Sequence, residues 1–263
     1  MPHETLIRAP AFAGSFYPNN ANELRRMLQK FLCETPKTAA PIPKAIIAPH
    51  AGYIYSGAVA ATAYARLSVA RDLIKRVVLL GPSHRVPFKG LAASHATHFV
   101  TPLGKIVVDR QAIEQLGSQI TLSDQAHALE HSLEVHLPFL QEILADFTLI
   151  PLIVGEATPT QVGKVLEQLW GSEETLIVIS SDLSHYHDYE TAQLVDKRTS
   201  QAIEELRFQD IHYEQACGRN PINGLLHEAR RRGMQARTID LRNSGDTAGS
   251  KAQVVGYGAY VFN

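Results

Sequence analysis

Three apolar runs in this chain of 263 residues each lead into an imidazole. AIIAPHAGY carries the first to His50, and VVLLGPSHRV carries the second to His84. TLIVISSDLSH carries the third, after a short overrun, to His185. Small or turn-forming residues surround each one: Pro49, Ala51 and Gly52; Gly81, Pro82 and Ser83; Ser180, Ser181 and Ser184. Such neighbours let the backbone turn sharply and leave room for an ion or a substrate. A lone histidine at a strand end is usually a hydrogen-bonded loop residue. Three in the same setting point to a metal site, because neutral imidazole is the commonest protein metal ligand.

A thiol adds to this set. Cys217 precedes GRNPINGLL, a turn that leads into a helix. A helix N-terminus favours the thiolate, and a thiolate is a soft ligand suited to iron, copper or zinc. The competing reading is a small buried thiol, which is also the reading for Cys33, late in an amphipathic helix. The segment DQAHALEHSLEVHLPF places His127 and His131 one helical turn apart, and Glu130 and Glu134 likewise. It lacks the HExxH spacing of zinc proteases. Metal-bound histidines commonly pass their second ring proton to a carboxylate, so Glu130, His131 and Glu134 are candidates for supporting a site; a solvated helix face is the alternative. Asp182 is placed to orient His185 or to bind an ion.

The elements that must position these residues alternate between strand and helix. Helices are expected at about 20–32 with Asn20 as cap, from Ser56 through SGAVAATAYARL, from Asp109 to Gly117, after Thr158-Pro159, over 189–207, and from Asn220-Pro221 to Gly233. The stretch 124–145 has a helical pattern interrupted by Pro138. Strands are expected at 45–48, 76–80, 148–154, 175–180, 235–242 and 252–262, with short strands in 91–108 around a turn at Pro102 to Gly104. Unbroken apolar strands between helices are buried on both faces. The expected class is α/β: a single domain spanning 1–263, with a central, largely parallel or mixed sheet and helices on both faces. In such sheets ligands bind beyond the carboxyl ends of the strands, where the three histidines lie.

Bulk composition excludes several classes. The net charge of −1 gives no attraction to nucleic acid or an anionic membrane. The basic run Arg230-Arg231-Arg232 is read as a helix end before Gly233. No apolar run is long enough to span a bilayer, and the N-terminal residues lack a signal-peptide layout. Two cysteines make no disulfide framework, so a reducing, cytoplasmic setting is expected.

Seven segments together resemble the Memo (mediator of cell motility) family: AGSFYP at 13–18, APHAGYIYSG at 48–57, LGPSH at 80–84, EHSLEVHLPF at 130–139, SSDLSHY at 180–186, CGRNPI at 217–222 and NSGD at 243–246. They fall in order over nearly the whole chain. The resemblance implies a fold like that of the class III extradiol dioxygenases, which hold non-haem iron through two histidines and a glutamate. It implies that His50 and His84 are metal ligands, that His185 matches the catalytic histidine, and that Cys217 stands where the dioxygenases have their glutamate. A thiolate ligand is itself oxidisable, which separates this site from catechol-plus-oxygen chemistry. The expected function is a non-haem iron oxidoreductase of unknown substrate, with copper or zinc as alternative metals. His185 is its acid–base group with help from Asp182, and Tyr53 and Arg219 line the cleft. The resemblance also implies a radical-SAM partner for prokaryotic members. Two other readings stay open: a binding module that reuses the cleft for a peptide or small acid, and a zinc-type hydrolase.

Overall fold

Four apolar runs form the centre of one sheet, and their carboxyl ends share an edge. The chain is described by a computed structural model over residues 6–36 and 40–263; the Pro-rich stretch ETPKTAAPIPK at 34–44, which its composition marks as a connector, lies partly outside the described residues. The strands are β1 Ile7–Arg8, β2 Ala45–Ala48, β3 Arg76–Pro82, β4 Leu91–Ala93, β5 His98–Thr101, β6 Gly104–Val108, β7 Ile120–Leu122, β8 Thr148–Val154, β9 Thr175–Ser180, β10 His185–His187, β11 Ala236–Asn243 and β12 Val254–Phe262. The helices are α1 Ala21–Glu34, α2 Tyr53–Ala65, α3 Arg110–Gln115, α4 Asp124–Ala128, α5 Leu137–Ile143, α6 Pro159–Leu169, α7 Tyr189–Glu204 and α8 Arg219–Arg231.

The strand order is β1-β5-β6-β8-β3-β9-β2-β12-β10, with β11 on β12 and β4 joining β8 to β7. β6, β8, β3, β9 and β2 run parallel; β12 closes on β2 in the antiparallel sense. The sheet is therefore mixed. Every residue of β2 and β9 is buried, as is all of β3 and β8 beyond the first residue. Burial on both faces is why these strands carry no polar alternation. In register, Ala48 of β2 lies opposite Ser180 of β9, and Pro82 of β3 lies opposite Val154 of β8. His50 and His84 each follow two residues later, so they emerge on either side of β9.

Local chemistry sets the helices. The Asn20 side chain accepts from the Asn22 and Glu23 N–H groups to start α1. Thr158 and Gln161 form a capping box ahead of Pro159 in α6. α8 packs on α6 and buries Ile222, Leu225 and Leu226; each such side chain stabilises the fold by about 1.5–3 kcal/mol. The basic run closing α8 has a buried partner: Arg231 and Arg232 reach Glu228 at 2.7 and 2.6 Å.

Several expectations are corrected. α2 begins at Tyr53 with Gly52 as its cap, and the Ser56 hydroxyl instead donates to the Ala51 carbonyl. The stretch 124–145 is not one interrupted helix. It is the short α4, a turn, a 3-10 turn at Glu134–His136, and α5 with Pro138 in its first turn. Cys33 is exposed on α1 rather than buried. No helix among the described residues is long and apolar enough to cross a membrane.

Candidate metal centre

His50, His84 and Cys217 meet at one point. Their ligand atoms all lie within 4.8 Å of one another, and the Cys217 sulfur is 3.4 Å from His50 Nε2. A nitrogen 2.0–2.1 Å and a sulfur about 2.3 Å from one tetrahedral cation sit roughly 3.5 Å apart. The His50–Cys217 pair therefore has the span that a shared cation requires.

Hydrogen bonds on the far side of each ring decide which nitrogen faces that point. Ser180 Oγ donates to the Ser132 carbonyl at 2.6 Å. With its proton so committed, Ser180 Oγ accepts from His50 Nδ1–H at 2.5 Å, which leaves the His50 Nε2 lone pair toward Cys217. Glu130 does the same for His84: Oε1 accepts from Nδ1 at 2.9 Å, and Oε2 accepts from the His84 backbone N–H at 2.6 Å. Glu130 Oε1 also accepts the Ser132 N–H at 2.9 Å. These bonds hold the Glu130 carboxyl down to about 2 despite its burial. A carboxylate behind one imidazole and a hydroxyl behind the other fix both tautomers and raise ligand basicity.

His131 lies against both rings, stacked on His84 at 4.6 Å between centroids and edge-on to His50 at 5.2 Å. Burial holds it down to about 4, so a neutral ring flanks the site. His131, His84 and Glu130 form a second cluster of metal-capable groups. The Glu130 carboxylate there is already committed to His84 and Ser132, so the cluster containing Cys217 is the better cation site.

Close backbone approaches make this convergence possible. A Cβ on Gly218 would stand 2.6 Å from the Ser180 carbonyl oxygen and from Ser181 Cβ. Gly218 instead donates its N–H to Ser181 Oγ at 2.9 Å, seating the start of α8 on the end of β9. A Cβ on Gly81 would stand 2.7 Å from Ser132 Oγ, where the loop carrying Glu130 crosses β3.

His185 is on β10, paired with β12, rather than on the overrun of β9. The next residue, Tyr186, has φ +62°, and the pairing register shifts at this point; such bulges re-aim side chains beside functional sites. The Leu183 carbonyl accepts from His185 Nδ1–H at 2.8 Å, so Nε2 carries the lone pair. Asp182 does not hydrogen-bond to His185. Its Oδ1 accepts the His50 backbone N–H at 2.8 Å, and Oδ2 lies 3.9 Å from His50 Nε2. Burial pushes the Asp182 carboxyl up, against the opposing pull of His185 and the His50 N–H.

Three expectations for the site change. The Cys217 thiol is not lowered by the helix start; burial, reinforced by the Asp182 charge, pushes it up. The desolvation of the sulfur outweighs a terminus that offers only partial charge. Tyr53 is in the core rather than the cleft, donating to the Val135 carbonyl at 2.7 Å. Glu134 serves another purpose: it ion-pairs with Arg8 and accepts from Ala11 N–H, Phe12 N–H and Tyr17 Oη. It thereby fixes the N-terminal segment, whose Phe12 and Phe16 rings pack on His131 at 5.5 and 4.9 Å. Arg219 does line the cleft, a cavity of about 330 Å³ that also reaches His84 and Cys217. Sequence reasoning missed the roles of Ser180 and Ser132, and missed Phe88 and Tyr213 as cleft walls. A paired serine at the end of an apolar run was the only available signal for Ser180.

Residues 8–261 match the model of the family described as Memo-like protein. A MEMO1 family protein of Aquifex aeolicus is 35% identical, over 97% of this chain and 99% of its own length. One from Aeropyrum pernix is 36% identical over 96% and 98%. Among solved structures, an uncharacterized protein of Escherichia coli K12 is similar with a TM-score of 0.49 and 12% identity, over 84% of this chain and 100% of that one.

Proposed function

This chain belongs to the Memo-like protein family, and we propose that it is a metal-dependent oxidoreductase whose iron is held by the Nε2 atoms of His50 and His84 and the sulfur of Cys217. One observation carries the reading: the donor set opens on a cleft. His50 is buried behind the site, whereas His84 and Cys217 line the cavity wall. Structural metal sites are closed by protein ligands, and catalytic ones keep a position free for substrate. Two imidazoles and a thiolate suit iron, copper or zinc; iron is chosen from the resemblance to non-haem iron enzymes.

Bound at this point, the metal supplies an electron couple and a Lewis acid at the cleft floor. The chain's own groups handle protons. His185 Nδ1–H is held by the Leu183 carbonyl, which leaves Nε2 as its proton-accepting nitrogen, although His185 is not among the residues that line the cleft. Asp182, whose carboxyl burial pushes up, lies beside His50, its Oδ2 3.9 Å from Nε2. His131 and the Phe12 and Phe16 rings exclude water from one side.

Protein purified without oxygen and assayed for bound metals tests the assignment. Wild type and Cys33→Ala should each carry about one equivalent of iron, and His50→Ala and Cys217→Ala should carry almost none. Full metal in all three variants overturns it.

A further inference from the structure

The cleft has a second chemical character beyond the cation position. Besides His84 and Cys217 it is lined by Val86, Phe88 and Val154 and by Arg219, the first residue of α8. Two cations line it, Arg85 and Arg219, against one anion, Glu156. The Arg219 guanidinium lies over the Tyr213 ring, 5.4 Å from its centroid, which holds its plane in place. Its Nη2 lies 3.4 Å from Glu156 Oε2. That carboxylate is 69% exposed, so the pair is long and open to solvent, a weak contact. Arg219 Nε is buried and has no hydrogen-bond partner. A buried donor without an acceptor is unfavourable, and guanidinium geometry favours one planar carboxylate across two N–H groups.

We propose that the cleft binds a small carboxylic acid with an apolar body: its carboxylate on Arg219, its body along Val86, Phe88 and Val154, its far end toward Cys217 and His84. The proposal takes from the functional reading only that this cleft is the substrate site; it does not depend on which metal is bound or on its redox state. Glu156 competes with the ligand carboxylate for the same guanidinium. Val86, Phe88 and Val154 also line the cleft, so charge alone is not enough: an acid without a body gains only the ion pair.

Isothermal titration of benzoate, acetate and benzyl alcohol into the protein, as purified and after metal removal, tests this. Benzoate should bind both forms and bind more tightly than either acetate or benzyl alcohol. Arg219→Gln should weaken benzoate by about tenfold to a hundredfold, while Glu156→Gln should tighten it several-fold. Neither variant should change benzyl alcohol binding. Equal benzoate affinity in wild type and Arg219→Gln overturns the proposal, as does acetate binding as tightly as benzoate. No benzoate binding by wild type at about 10 mM overturns it too. Metal content measured on the same samples separates the two readings: a chain that holds no iron but binds benzoate through Arg219 refutes the oxidoreductase and leaves the acid site standing.

Discussion

Metal binding at this site should displace one proton, and that proton should come from Cys217. Burial and the Asp182 charge push the thiol up, so the sulfur is protonated near neutral pH in the metal-free chain. Both imidazoles have Nδ1–H committed to Ser180 and Glu130, which leaves Nε2 ready as a neutral base. A cation must therefore expel the sulfur proton and none from the nitrogens. The perturbation is a zinc titration of metal-free protein, zinc being redox-inert, between about pH 7.5 and 9, where imidazoles bind as neutral ligands. One proton released per cation tightens binding about tenfold per pH unit, or about 1.4 kcal/mol. Calorimetry in buffers of different ionisation enthalpy counts the protons directly. Cys217→Ser, titrated at zinc concentrations high enough to load its weakened site, is the control, because a proton lost from metal-bound water is common to both proteins. The wild type should exceed the variant by one proton per cation. Equal release from both proteins refutes the reasoning, since the sulfur would then either be already ionised or take no part.

Removing the Ser180 hydroxyl (Ser180→Ala) or the Glu130 charge (Glu130→Gln) should weaken metal binding by about tenfold to a hundredfold, measured by competition with a chelator; unchanged affinity in both means the rings are not held as described. Gly218→Ala adds a Cβ 2.6 Å from the Ser180 carbonyl oxygen, so it should lose metal while circular dichroism stays native; full metal content argues against the close approach. Acid should destabilise the fold. Burial holds His127 down to about 4 and His136 down to about 3, whereas an unfolded histidine takes a proton near 6.5. Their contribution is thus complete above about pH 6.5 and is lost as pH falls toward 4, by up to about 1.4 kcal/mol per unit for each group; urea unfolding at pH 7.5, 6 and 5 measures it, and a flat profile contradicts it.

The parts of this protein legible in its sequence are those where one force dominates locally. Strands β2, β3, β8 and β9 are buried on both faces, so burial wrote them as unbroken apolar runs. Asn20, Asp109 and Thr158 mark helix starts because their side chains satisfy nearby N–H groups. The stretch 124–145 misled because its spacing is helical while its bonding is long-range. Glu130 is held by His84, 46 positions away, and Glu134 by Arg8, 126 away. β10 was invisible for a related reason: HYH has no strand pattern, and the left-handed Tyr186 depends on pairing with β12. The protonation of Cys217 was misjudged because sequence shows a nearby helix start but not the depth of the sulfur or the Asp182 beside it.

Residues 130–132 couple the two imidazoles more tightly than the 34 positions separating His50 from His84 suggest. Glu130 holds one ring by its side chain, the Ser132 carbonyl holds the other through Ser180, and the His131 ring touches both. The electron-donating strengths of the two nitrogens are thus governed from a single tripeptide. Any movement of that loop would therefore shift both rings together rather than one alone.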